Sequence, residues 1–273
     1  MSQFVSLNQQ VSVAEEAYLP AISSAVFYGR GIFTTVAIYN SEPFQWKKHW
    51  ARLIENSKKI KLDLSEYDAH SVKQNLAQVI EQNKLTSARA RLTFFDESPN
   101  KLWQTTLKRA TSFLIITGKS LSVPASLNLT ISDFRINSTS PLAGVKSCNY
   151  MENILSFENA KDKGFDEAIR SNESGEIVSA SMANIFWIKN KEILTPSLET
   201  GCLKGTTRSF VMENFIVKEK KASINELMNA DEIFLTSAGI GIAKVKKINK
   251  KTFNSKTIEK IQAEFFHLTT SKH

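Results

Sequence analysis

The chain has 273 residues, 42% of them apolar and 23% charged, with a formal net charge of +8. That is enough for one large or two modest domains with a proper core, and no run of about 18 apolar residues points to a membrane helix. The N-terminal stretch has neither a basic n-region nor an apolar h-region, so a signal peptide is not expected, and two cysteines, Cys148 and Cys202, make no disulfide framework and point to a reducing cytoplasm.

Residues 33–46 read as two strands joined by a turn at Asn40–Ser41. An amphipathic helix follows, with Trp46, Trp50, Leu53, Ile54 and Ser57 on one side, and a second helix is expected over residues 64–83. Alternation predicts strands over residues 88–95 and 111–119. Residues 118–126 are small and polar with Gly and Pro, which makes them the linker between an N-terminal domain (1–117) and a C-terminal domain (127–273). The second domain opens on a strand near residue 128. A helix over 149–163 ends at Gly164, a suitable C′ residue. A strand series then runs from residue 166 to 197, with turns at 173–175 and 190–191. Residues 205–221 read as a helix opening on Gly-Thr-Thr, residues 223–230 as a short helix with a Ser N-cap, and residues 232–239 as a strand. Hairpins mixed with helices favour α+β over a doubly wound sheet.

His49, His70, His267 and His273 are scattered without metal-ligand spacing, so no metal is expected. No dinucleotide fingerprint and no P-loop is present. The positive charge favours anionic partners in general. The densest basic patch, Lys244, Lys246, Lys247, Lys250 and Lys251, reads as a solvated strand edge and turn, and no nucleic-acid partner is expected. Gly205, Thr206 and Thr207 open a helix whose first N–H groups lack partners. They form either a phosphate cradle or a simple Thr-rich cap. Lys146, in Leu-Ala-Gly-Val-Lys, has small and apolar neighbours, which suits partial burial. It is either a desolvated reactive amine or a solvated charge.

In order, the segments 27–53, 142–155, 163–169, 181–197, 201–208 and 230–239 resemble the fold-type IV pyridoxal-phosphate family, the class IV aminotransferases. That family holds branched-chain and D-amino acid aminotransferases and aminodeoxychorismate lyases. The resemblance implies a two-domain α+β / α/β fold like that of D-amino acid aminotransferase, with pyridoxal 5′-phosphate in the cleft and a homodimeric assembly. It implies that Lys146 forms the Schiff base and shuttles the proton. Arg52, Gly205, Thr206 and Thr207 are then expected at the phosphate, Tyr150 near the phenolic oxygen, and Ser237 and Ala238 at the cofactor.

One departure stands out: the family's glutamate facing the pyridine nitrogen is replaced by Ser179. Glu176 lies an odd number of residues away on a strand, on the opposite face unless the strand bulges. Aminodeoxychorismate lyase chemistry gains an aromatic ring, so it tolerates a weaker electron sink than transamination does. Thr35 also resembles the lyase branch, where its hydroxyl faces the cofactor, and Ala37 removes a carboxylate anchor found in the transaminases. Arg89 and Arg91 alternate onto one face and are candidates for a substrate carboxylate, although no arginine-bearing substrate loop shows in residues 91–103. The expected function is a lyase converting 4-amino-4-deoxychorismate, a small anionic amine, to 4-aminobenzoate and pyruvate. A branched-chain or D-amino acid aminotransferase is the alternative, and a non-catalytic binding protein on this scaffold is the third reading.

Overall fold

A computed structural model describes residues 3–99, 110–120 and 124–270. The chain divides into two units, Met1–Ser120 with Val145–Asn149, and Leu121–Gly144 with Tyr150–His273.

The first unit contains β1 (Phe4–Leu7), β2 (Gln10–Val13), α1 (Ser24–Tyr28), β3 (Gly31–Tyr39), β4 (Glu42–Pro43), α2 (Trp46–Lys59), α3 (Ala69–Gln82), β5 (Ala88–Asp96) and β6 (Thr111–Lys119). The strands form an antiparallel sheet in the order β2-β1-β6-β5-β3-β4. Strands β3 and β5 bury Ile32, Val36, Ile38, Leu92 and Phe94, which pack with Leu53, Val72, Leu76 and Val79 of the helices. Each such side chain contributes about 1.5–3 kcal/mol when fully buried. The expected hairpin turn is present, with Asn40 and Ser41 at φ 50 and 64, the left-handed pair that a tight hairpin requires. Helix α3 starts later than expected because Asp68 caps it, accepting from the backbone N–H groups of His70 and Ser71. The fully buried stripe of α2 is His49, Arg52, Leu53, Asn56 and Ser57, more polar than the expected apolar side.

The second unit contains β7 (Leu127–Ile131), α4 (Met151–Asp162), β8 (Glu167–Ser171), β9 (Ile177–Ala180), β10 (Asn184–Lys189), β11 (Glu192–Pro196), α5 (Thr206–Asn214), β12 (Val217–Lys220), α6 (Ile224–Met228), β13 (Glu232–Ser237), β14 (Gly241–Ile248), β15 (Lys251–Thr252) and α7 (Lys256–Thr270). The sheet runs β12-β11-β10-β13-β14-β7-β8-β9, with β15 on β14. It is mixed: β11–β12, β14–β7 and β7–β8 are parallel. Its core gathers Leu129, Ile169, Ile185, Trp187, Ile233, Leu235 and Val245.

Four expectations change. Val145–Asn149 belongs to the first unit rather than to the C-terminal domain, because its backbone pairs with β3. Phe33 N–H donates to the Lys146 carbonyl at 2.9 Å, and Cys148 N–H to the Gly31 carbonyl at 2.8 Å. The linker expected from residue 118 begins inside β6, and residues 121–123 of it lie outside the described residues. The helix expected over residues 205–221 stops at Asn214, since Phe215 turns extended and Val217–Lys220 pairs parallel to β11. Lys244, Lys246 and Lys247 are not on a sheet edge, since β14 lies between β13 and β7 and Lys244 pairs with Glu259 at 2.7 Å, whereas Lys250 is in the expected exposed turn and Lys251 on the short outlying β15.

Candidate active site

In the first unit, strand alternation sends Phe33, Thr35 and Ala37 to one face of β3 and Thr34 to the other. The short pairing of residues 146–148 with β3 fixes the Lys146 backbone there. The approach is tight: a Cβ on Gly31 would meet Cys148 Sγ and the Phe94 carbonyl, each at 2.9 Å. The Lys146 amine stands 4.5 Å from the centroid of the Phe33 ring, and the Arg91 guanidinium covers the same ring at 3.6 Å. Desolvation of the amine, then the Arg52 and Arg91 cations, hold Lys146 well below the usual lysine value of 10.5. The shift favours the uncharged amine, the form that can attack a carbonyl. Cys148 beside it is pushed up by burial, with Arg91 opposing.

Arg52 projects from α2 beneath β3. Its Nη2 donates to Thr34 Oγ1 at 2.7 Å, and that hydroxyl lies 2.6 Å from His49 Nδ1. An arginine can only donate. The threonine hydroxyl therefore accepts from Arg52, and toward His49 it donates when the imidazole proton is on Nε2 and accepts when it is on Nδ1. Burial, then the Arg52 and Lys146 cations, hold His49 well below 6.5, so it is neutral. Sequence reasoning assigned neither His49 nor Thr34 to the site. The available signal was the i, i+3 spacing of His49 and Arg52 on one helix.

Arg89 and Arg91 share a face, opposite Ala37 and Thr35 respectively in the β3–β5 register, yet their surroundings differ. Arg91 lies on Phe33 and donates to Thr93 Oγ1 at 3.2 Å. Arg89 donates to the Ala88 carbonyl and to Ser120 Oγ, and sits 5.6 Å from the Tyr39 ring. The structure therefore brings Lys146, Arg52 and Arg91 together, with half-buried Thr35 opposite Arg91, while Arg89 bonds to Ala88 and Ser120.

In the second unit, Gly205 is the N-cap of α5 and no side chain caps this end. The first i to i+4 bond runs from Ser209 N–H to the Gly205 carbonyl at 2.9 Å, so the N–H groups of Thr206, Thr207 and Arg208 have no acceptor within the helix. Thr206 and Thr207 are both buried. Glycine leaves room at the cap: a Cβ there would lie 2.0 Å from Asn184 Oδ1, which would have to shift. Asn184 is itself held by donating to the Leu203 carbonyl at 2.8 Å. At the end of β13, Ser237 Oγ accepts from Gly239 and Ile240 N–H groups, with Ala238 in the turn between. Tyr150 is the N-cap of α4. Ser179 is half-buried on β9, directly opposite Arg170 of β8. The strand does bulge: the register shifts between Arg170 and Ser171, from Ser179 to Ile177. Glu176 is nevertheless engaged elsewhere, accepting from Asn172 Nδ2 at 2.8 Å. Among the described residues, no helix is long and apolar enough to cross a membrane, and no group of three His, Cys, Asp or Glu side chains could hold a metal ion.

Residues 31–248 match the family model for amino-transferase class IV. The chain belongs to that family. Similar proteins include the aminodeoxychorismate lyase of Bacillus subtilis, 26% identical over 95% of this chain and 91% of that protein. A putative branched-chain-amino-acid aminotransferase of Methanocaldococcus jannaschii is 26% identical over 94% and 92%. Among solved structures, the branched-chain aminotransferase of Thermoproteus uzoniensis with norvaline superposes with a TM-score of 0.93 at 24% identity, covering 100% of this chain and 96% of that one. The T.th. branched-chain amino acid aminotransferase with pyridoxamine 5′-phosphate gives 0.91 at 19%, with coverage of 100% and 96%. These two establish the fold. The cofactor of this class IV enzyme is pyridoxal 5′-phosphate. The residues present suit its chemistry unit by unit: the first offers the amine of Lys146 for an aldehyde, and the second an uncapped helix mouth for a phosphate.

Proposed function

We propose that the chain is a lyase converting 4-amino-4-deoxychorismate to 4-aminobenzoate and pyruvate. The observation that carries this reading is the hydroxyl of Ser179 at the strand position where the family pattern has a carboxylate. When bound, pyridoxal phosphate supplies an aldehyde that captures a primary amine and a ring that draws electrons from the carbon bearing it. A serine there does not hold a proton on the ring nitrogen as a carboxylate does. That weakens the electron pull on which transamination depends, while a reaction that gains an aromatic ring has its own driving force.

In this reading, Lys146 is the nucleophile toward the aldehyde. Its amine would also serve as the base for the proton on the ring carbon bearing nitrogen. Arg52 and the N–H groups of Thr206 and Thr207 have the charge and donors for a phosphate dianion, Gly205 keeps that mouth open, and the turn at Ser237 and Ala238 belongs to the same group. Tyr150 serves the phenolic oxygen. Arg91, opposite Thr35, presents a cation to a substrate carboxylate, and the Thr35 hydroxyl positions a proton or water. Arg89, engaged with Ala88 and Ser120, is left out of this role. The Bacillus subtilis relative supports the reading. Free thiols at Cys148 and Cys202 suit a reducing cytoplasm, and the exposed apolar side chains Tyr18, Leu19, Ile22 and Val26 suit a homodimer.

A branched-chain or D-amino acid aminotransferase is the second reading, favoured by the names of several relatives. The deciding experiment incubates the purified holoprotein with 4-amino-4-deoxychorismate and no keto acid. Stoichiometric pyruvate and 4-aminobenzoate support the lyase. Turnover seen only with an amino acid plus 2-oxoglutarate or pyruvate supports the aminotransferase and sinks the first reading.

A further inference from the structure

Strand β9 pairs with β8 so that Ile169 faces Ala180 and Arg170 faces Ser179. Residues directly opposite in an antiparallel pair share a face, and successive pairs alternate. Ile169 and Ala180 both belong to the core of the second unit, so Arg170 and Ser179 lie together on the opposite face. Arg170 is 1% exposed, whereas Ser179 is half-buried. Of the two, Ser179 is the one that a ligand can touch, and the guanidinium is held beneath the surface.

The buried guanidinium is fixed in place. Its Nε donates to the Phe134 carbonyl at 3.1 Å, and its Nη2 to the Arg135 carbonyl at 3.2 Å and to Glu152 Oε2 at 3.1 Å. Glu152, from α4, is the one carboxylate paired with it among the described residues, and its side chain is 74% exposed. Water screens that charge, so the guanidinium is incompletely neutralised on its buried side. The other charged groups close by in the chain are Arg135 and Glu173, both exposed, Glu176, which is engaged with Asn172, and Glu167, an odd number of residues from Arg170 on β8 and engaged with the Ser181 and Met182 N–H groups. An arginine stays charged at every accessible pH.

We propose that Ser179 and Arg170 together keep the ring nitrogen of the bound cofactor unprotonated, Ser179 donating its hydroxyl hydrogen to that nitrogen and Arg170 acting as the buried cation behind it. This rests on the reading of Ser179 as the residue that meets the ring nitrogen. A neutral nitrogen accepts one hydrogen bond, and a serine hydroxyl can supply it. A second positive charge beside a buried guanidinium is disfavoured in a poorly screened setting. Arg170 is thus a positioning residue for charge, and the chain has exchanged a site that stabilises a pyridinium for one that opposes it.

The test loads the full-length protein with pyridoxal 5′-phosphate carrying 15N in the ring and follows the nitrogen resonance against pH. The wild type is expected to show an unprotonated nitrogen at pH 7, and Arg170→Leu to raise its protonation midpoint by about one to three pH units. Arg170→Lys keeps the charge and is expected to keep the nitrogen unprotonated. Ser179→Glu is expected to yield a pyridinium, and serves if Arg170→Leu does not fold. A pyridinium in the wild-type protein at pH 7, or an unmoved midpoint in Arg170→Leu, overturns the inference alone. Label that binds equally with and without Lys146, or not at all, overturns the reading on which it rests.

Discussion

Replacing Thr34 by valine removes one oxygen and almost nothing else, since the two side chains have nearly the same shape. Thr34 is fully buried, and its hydroxyl joins Arg52 Nη2 at 2.7 Å to His49 Nδ1 at 2.6 Å. Both partners are buried as well. Losing the hydroxyl removes a charge-assisted bond and leaves His49 Nδ1 without this partner. A buried polar group deprived of its partner costs about 1–3 kcal/mol, and a bond to a charged group is worth about 1.5–3 kcal/mol. The two are not additive, so Thr34→Val is expected to destabilise the cofactor-free protein by roughly 2–4 kcal/mol. Urea unfolding monitored by tryptophan fluorescence measures it. Thr34→Ser, which keeps the oxygen, should recover more than half of the loss. A change below about 0.5 kcal/mol for valine, the range of surface substitutions, would refute the relay. The same relay sets a pH dependence. His49 in the fold has its proton affinity lowered below 6.5. Below pH 6.5 the unfolded chain takes up a proton that the folded chain refuses, so stability falls as pH drops. His49→Gln should flatten that slope; an unchanged slope would contradict a buried neutral imidazole.

Lys146→Met should stabilise the cofactor-free protein near neutral pH. The folded lysine releases its proton below 10.5, so wild-type stability should rise with pH between the folded value and 10.5 and the variant should lack that rise; identical pH profiles in thermal melts would count against a desolvated amine. Gly205→Ala forces a Cβ to 2.0 Å from Asn184 Oδ1 and should cost about 1–3 kcal/mol. Much of that loss should be recovered in the double variant with Asn184→Ala, and a purely additive cycle would show that the clash is not the cause. Arg91→Leu should lower kcat/KM about 10- to 100-fold through KM, the loss of a charge-assisted contact. Arg89→Leu should change it less than about threefold, the size of a surface substitution. Equal effects would show that the two arginines do share a role.

The sequence by itself determined the local elements wherever one period or one residue type decides. Alternation over residues 111–119 gives β6 end to end, and Asn40–Ser41 and Asn190–Lys191 take the left-handed conformations that short polar turns demand. Ser223 caps α6 as its position implies. The ordered motifs sufficed for the family and its cofactor. Tertiary structure decided what depends on a partner far along the chain. The separation of Arg89 from Arg91 follows from which residues surround each, not from alternation, which treats them alike. The return of residues 145–149 to β3 is a pairing of backbones more than a hundred residues apart, invisible to any local window. Polar His49 and Thr34 look like surface residues until α2 is laid on β3. The neighbourhood of Arg170 and Ser179 exists only through the β8–β9 register. Periodicity states which face a residue takes; only the assembled sheet states which charge waits on the other strand.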